Sequence, residues 1–254
     1  MSYTNGLDKP SEYFNTVLYT GTGGTSNSVT GVGFQPDWLW LKSRSNAYPH
    51  FIYDAVRTNR SALFTNNTNA EDTGASNQMT SFDSDGFTVV DSGGSVGTNA
   101  SGATFTSWNW LAGGTASSNT DGSITSNVSA NTTSGFSIVS YAGGGSDSDT
   151  VGHGLGVTPA MVIVKNRDNT NGWLVSHQGL TSESYNVSLN NTNAEETTSG
   201  HGQGIVTNKT SITFGFSSGG VGDDNVNDSS YNYIAYCFAE KKGYSKFGSY
   251  TGNA

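Results

Sequence analysis

Apolar and polar residues alternate along this chain in short bursts, too brief for helices. "TVLYTG", "DWLWLKSR", "HFIYDAV", "GFTVVD" and "TFTSWNW" are β-branched or aromatic, and Gly, Asn, Asp or Pro bound them. That pattern predicts strands. "FSIVSY", "AMVIVKNR", "GWLVSH", "SITFGFS" and "YNYIAYCFAE" continue it in the second half. No window longer than about ten residues holds a 3.6-residue period. "WLWL" and "MVIV" are apolar at every position, so they should be central strands covered on both faces. Pro36 and Pro159 stand just before them, where a missing N–H is tolerated. The expected fold is all-β, with short strands and polar turns forming sandwiches.

The two sets of strands are versions of one pattern. "FNTVLYTGTGGTSNSVTGVGFQPDWLWLKSR" matches "FSIVSYAGGGSDSDTVGHGLGVTPAMVIVKNR". Phe14 aligns with Phe136 and Tyr19 with Tyr141 at an offset of 122; Pro36, Lys42 and Arg44 align with Pro159, Lys165 and Arg167 at 123. "NNTNAED", from Asn66 to Asp72, matches "NNTNAEE", from Asn190 to Glu196, at 124, and Thr104–Trp110 aligns with Asn232–Phe238 at 128. Short loop insertions produce such a drift. A period of about 120 residues suits a whole domain rather than a solenoid coil. The expected organisation is two tandem homologous β-sandwich (jelly-roll-like) domains. An N-terminal arm (1–12) precedes repeat 1 (13–114), a Gly/Ser/Thr/Asn-rich linker (115–135) and repeat 2 (136–246). In the linker the alternation of Ile124 and Val128 leaves room for a short strand. Residues 247–254, with Tyr250-Thr251-Gly252 repeating Tyr19-Thr20-Gly21, read as the start of a third repeat or a terminal strand.

Composition narrows the function classes. Only 12% of the 254 residues are charged, the net charge is −9, and 34 glycines and 11% aromatics accompany abundant Ser, Thr and Asn. An acidic chain is a poor nucleic-acid binder, because phosphate contacts require a basic surface. The aromatic content argues against disorder. Cys237, in the apolar "YIAYCFAE", is the only cysteine, so no intrachain disulfide or Cys-based zinc site is expected. The opening "MSYTNGLDKPSEYF" has no basic n-region and no apolar h-region, and no run is long enough to span a membrane. A surface-like composition without an export signal suggests a protein assembled in the cytoplasm and released another way, such as by host lysis, with no membrane insertion.

Candidate chemistry is sparse. His50, His153, His177 and His201 lack HExxH or i,i+4 metal spacing. Asp83 and Asp85 in "FDSDGF" could suggest calcium, but the stretch runs into "FTVV" and reads as an Asp-Gly turn. Asp147 and Asp149, and Asp223, Asp224 and Asp228, lie in acidic loops. The Gly runs lack a following helix to cradle phosphate. No catalytic, cofactor or metal residue is expected. The most informative set is Trp38, Trp40, Trp108 and Trp110. Period-2 geometry puts each pair on one strand face. They read first as core, since Met161, Ile163, Tyr236 and Phe238 take the aligned positions and a core needs only apolar volume. The functional reading is a stacking platform for a sugar ring.

The stretches "KPSEYFNTVLYTGTG", "GVGFQPDWLWLKSR", "MTSFDSDGF", "SSNTDGSITS", "VSANTTSGFSIVSY", "TVGHGLGVTPAMVIVKNRD" and "YIAYCFAEKKGYSKFGSYTGN" cover nearly the whole chain. Together they resemble a family of tandem-repeat virion structural, tail-fibre-like proteins of tailed bacteriophages, notably phages of marine bacteria and cyanobacteria. The resemblance implies a non-enzymatic virion protein: a tail fibre or appendage presenting a host-contact, glycan-binding surface. It would form a homo-oligomer, with a trimer favoured, alongside other virion proteins. A capsid decoration protein is the structural alternative. A glycan depolymerase is the enzymatic one, drawing on Asp54, Glu71, Asp83, Glu195 or Asp228 as paired carboxylates. A bacterial adhesin would need another export route.

Overall fold

The apolar bursts are strands in the computed structural model, which describes residues 7, 9–24, 26–57, 61–73, 78–91, 97–198, 204–218 and 224–253. The first half holds β1 (Phe14–Thr20), β2 (Asn27–Thr30), β3 (Trp38–Ser43), β4 (Phe51–Asp54), β5 (Leu63–Phe64), β6 (Met79–Asp83), β7 (Gly86–Val89) and β8 (Thr104–Trp110). The second holds β9 (Ser117–Asn119), β10 (Ser126–Asn131), β11 (Phe136–Ala142), β12 (Thr150–Gly152), β13 (Met161–Asn166), β14 (Trp173–His177), β15 (Val187–Ser188), β16 (Ile205–Thr207), β17 (Thr213–Ser217) and β18 (Asn232–Phe238). The fold is all-β, in four antiparallel sheets.

Strand order repeats between the halves. The larger sheet of the first half runs β1-β8-β3-β4-β5, and β11-β18-β13-β14-β15 repeats it; β2-β7-β6 likewise has its counterpart in β12-β17-β16. Register repeats as well. Phe14 pairs with Trp110 and Trp110 with Trp38, as Phe136 pairs with Phe238 and Phe238 with Met161.

The recurring Tyr-x-Gly closes the first strand of each half. Tyr19 donates its hydroxyl to Thr98 O at 2.6 Å, and Tyr141 does the same to Val226 O at 2.6 Å. Asn99 and Asn227 accept backbone N–H groups of the Gly-rich turn through Oδ1, both at 2.9 Å. A Cβ on Gly21 would lie 2.1 Å from Ala100 O, and one on Gly143 2.1 Å from Asp228 O. Only glycine allows the chain to approach so closely.

Each half has its own core between a larger and a smaller sheet. Leu39, Leu41, Phe51, Tyr53, Phe87 and Phe105 fill the first. Val162, Val164, Leu174, Phe214, Phe216 and Tyr233 fill the second. Cys237 belongs to this second core, and burial pushes its thiol up to about 12. A third core joins the halves. The opposite faces of the two larger sheets meet there, with Trp38, Ile52 and Leu63 against Phe136, Ile138, Ile163, Trp173, Tyr236 and Phe238. The four sheets therefore stack as successive layers. This seam explains why "WLWL" and "MVIV" are apolar throughout: successive side chains enter different cores.

Residues 115–135 are not merely a connector. β10 pairs with the outer edge of β11, and β9 pairs with β10. Val128 is buried, and the polar side chains bind backbone: Ser129 Oγ donates to Gly114 O at 2.7 Å, and Ser126 Oγ to Gly152 O at 3.2 Å. Ser and Asn suit an edge strand where each finds such a partner.

At the other termini less is regular. Of residues 1–12, the structure describes Leu7, which is buried, Lys9, and a 3-10 turn at Pro10–Glu12. Phe247 to Thr251 form no strand. Phe247 lies 6.3 Å from the Phe238 ring and 6.0 Å from His177, while Tyr250 is 95% exposed.

Candidate functional site: the tryptophan face and the seam

The β3–β8 register sets Trp38 beside Trp110 and Trp40 beside Trp108. The ring centroids are 4.6 Å and 6.0 Å apart, and Trp38 lies 6.0 Å from Trp40. The expected shared face exists, but its two ends differ. Trp38 is 1% exposed and packs on Tyr236 at 5.0 Å and Phe136 at 5.6 Å. It is a seam residue with no free ring for a ligand, which removes it from the stacking set. Trp110 packs on Phe14 with ring centroids 4.5 Å apart and lines an apolar cleft of about 270 Å³ with Phe136, Met161, Ile163 and Phe247. Trp40 and Trp108 are only half-buried.

Trp40 also walls a second cavity of about 290 Å³, and here the chemistry is polar. His50, Thr65, Asn66, Asn190 and Thr192 line it. Asn66 and Asn190 occupy the same position in the two "NNTNAE" motifs, and the seam brings them to one site. Each uses Oδ1 to accept a backbone N–H, from His50 and from Trp173, both at 2.8 Å. The same motif role therefore presents two side-chain amides to one cavity. The Thr65 hydroxyl, in the wall, is buried without a hydrogen-bond partner. Burial and nearby Lys42 hold His50 below the usual histidine range, so the site is uncharged at neutral pH.

Sequence reasoning missed the charged part of the seam. Arg57 Nε contacts Asp54 Oδ2 at 2.6 Å, both fully buried, and Arg57 also lies 3.4 Å from Glu71. Arg167, from the other half, reaches Glu71 Oε2 at 2.5 Å and Oε1 at 3.2 Å. Tyr236 donates to Asp54 Oδ2 at 2.7 Å, and Trp173 Nε1 donates to Phe64 O at 2.9 Å. Burial opposes the charge on Arg57, but Asp54 and Glu71 outweigh it and raise its pKa. Burial likewise opposes the Glu71 charge, yet its arginine partners hold it below the ordinary carboxylate range. Burial and the adjacent Asp54 keep the Tyr236 hydroxyl protonated far above its usual range. A signal was available: "DAVR" places two charges amid apolar strands of a charge-poor chain. Asp54 and Glu71, available as a catalytic carboxylate pair, are brought together here as partners of one arginine.

The remaining candidates serve local structure. Asp85 accepts N–H groups of Gly31 and Gly33 at 3.0 and 2.6 Å, and Asp83 accepts the Thr88 hydroxyl at 2.7 Å. Asp149 accepts Ser146 N–H at 3.0 Å, Asp147 accepts Ser218 N–H at 2.6 Å, and Asp228 accepts Ser230 N–H at 2.7 Å. Glu195 accepts Thr181 N–H at 2.8 Å. Buried His153 accepts Leu155 N–H at Nδ1, so Nε2 carries the proton toward Thr210 O at 3.2 Å. His201 and Asp223 lie outside the described residues. Among the described residues, no three His, Cys, Asp or Glu side chains cluster to hold a metal.

These features define an all-β protein of stacked sheets with an aromatic, ion-paired seam. Residues 9–254 match the model of a domain of unknown function (DUF7483), and the chain belongs to that family. One family model thus spans both halves and the seam between them. No curated protein and no solved structure matches the chain.

Proposed function

We propose that the chain is a non-enzymatic structural protein of a bacteriophage virion, an appendage component that meets the host surface through the Trp40 cavity. The motif resemblance supports the virion role, and the chemistry of this cavity carries the contact role. An aromatic ring, two asparagine amides and a threonine hydroxyl around an uncharged space match a neutral sugar, which offers an apolar ring face and hydroxyls. Weak single contacts become useful when several copies sit on one particle.

Two experiments test the reading. Antibody labelling of virions should place the chain on the tail. Label on the head would replace an appendage with a decoration protein, and an unlabelled particle would overturn the virion role. Titration with neutral host-surface oligosaccharides should quench tryptophan fluorescence, and Trp40→Ala should abolish binding. Equal binding by that variant would remove the cavity from the proposal.

A further inference from the structure

The halves differ most at one sheet edge. β11 carries β10 on its outer side, and most of its residues are buried. Its counterpart β1 pairs only with β8 among the described strands, and none of its residues is fully buried. Leu111 N–H donates to Tyr13 O and Gly21 N–H to Ala103 O, so odd-numbered residues of this strand face β8. Asp37 N–H donates to Trp110 O and Arg44 N–H to Thr104 O, which turns the opposing residues of β8 toward β3. The N–H and C=O groups of Phe14, Thr16, Leu18 and Thr20 therefore point away from β8; of these, Thr16 N–H donates to Asn15 Oδ1 at 2.9 Å and Thr20 O accepts from Asn27 Nδ2 at 3.2 Å.

Apart from the two asparagine side chains, this edge lacks the usual protections. Long bare edges are blunted by charges, proline or a bulge. "FNTVLYT" has no charge and no proline, and its register with β8 is unbroken. Leu18, at its middle, is 60% exposed. The other edges of the larger sheets, β5, β15 and β9, are only two or three residues long.

We infer that β1 joins β1 of a second copy, antiparallel about Val17, to make one continuous sheet. Phe14 then lies opposite Thr20 of the partner subunit, and Thr16 opposite Leu18 of the partner subunit. Each outward residue meets another outward residue, so the pairing is self-complementary. Charge favours this contact over others. The chain carries −9, and copies repel across most surfaces, yet β1 brings no charged side chain to the junction. The two Leu18 side chains, diagonal across the new ladder on one face, leave water together. The same edge of β11 is already occupied by β10, so the junction forms once per chain and closes as a two-fold dimer. The inference is independent of the sugar site.

Sedimentation velocity of the full chain across a concentration series tests it, paired with amide exchange at Leu18 and Thr20. The expected result is a species of twice the chain mass, with both amides protected more than 100-fold in the dimer. Leu18→Lys should give a monomer with an unchanged far-ultraviolet spectrum and fast exchange at both amides. Thr16→Pro, which removes an outward N–H, should do the same. A monomer at 100-fold excess over ordinary working concentrations would overturn the inference. So would amide protection at monomer mass, or an oligomer that both variants leave intact.

Discussion

β1 and β11 occupy the same place in two halves built on one strand order, yet one is half open and the other closed. The same contrast recurs along the face they border. Lys42 donates to Ser43 O at 2.7 Å and Asn46 O at 3.2 Å; Lys165 makes the equivalent bonds to Asn166 O at 2.6 Å and Asn169 O at 3.2 Å. Lys165 is fully buried, and Lys42 is not. Trp108 is half-buried, while Tyr236, at the aligned position, is closed over. The difference teaches that backbone hydrogen bonding sets the common fold, while the seam decides which copy of a residue becomes core. Half two is the covered partner, and half one keeps an aromatic margin.

The largest test of this contrast compares two tryptophans on one strand pair. Trp38→Ala should cost about 3–5 kcal/mol in denaturant unfolding, the range for emptying a packed aromatic site. Trp108→Ala, on the open side, should cost about 1 kcal/mol. Equal losses would mean that the seam does not distinguish them.

Next come the arginines. Arg57→Ala strands Asp54 beside a half-satisfied Glu71 and should cost about 3–5 kcal/mol. Arg44 is exposed in half one, where Arg167 of half two meets Glu71; Arg44→Ala should cost less than about 0.5 kcal/mol.

A third test uses pH. Burial lowers Lys165 from 10.5 to about 7. Between those values the unfolded chain binds the proton and the folded chain does not, so stability rises with pH across the window. Below pH 7 both states are charged and this contribution is flat. Lys165→Met should lose the rise between pH 7 and 10, and Lys42→Met should keep it; melting temperatures across that range decide.

The smallest effects concern the two motif tyrosines. Tyr19→Phe and Tyr141→Phe each delete a hydroxyl bonded to a loop carbonyl, costing about 1 kcal/mol. The loss should be greater for fully buried Tyr141, whose partner Val226 O stays dry.

Strands were legible because each is a short apolar burst between turn residues. That "WLWL" and "MVIV" are covered on both faces was legible too; that they cover each other was not, since apolarity names no partner. The ion network lay beyond local pattern, because Arg167 reaches Glu71 across 96 positions and Tyr236 reaches Asp54 across 182. β9 and most of β10 hide in a Ser/Asn-rich stretch whose polar side chains are satisfied by backbone. In the tryptophan set, spacing put the rings on one face, but only the offset of the two sheets separates buried Trp38 from open Trp40. The paired Asn66 and Asn190 were visible as a repeat, though not as neighbours.

The central claim is that the seam makes the two halves one cooperative body. Calorimetry of the full chain tests it most directly. A single transition is expected, with calorimetric and van't Hoff enthalpies that agree within error. Two separable transitions, each carrying about half of the total enthalpy, would contradict it.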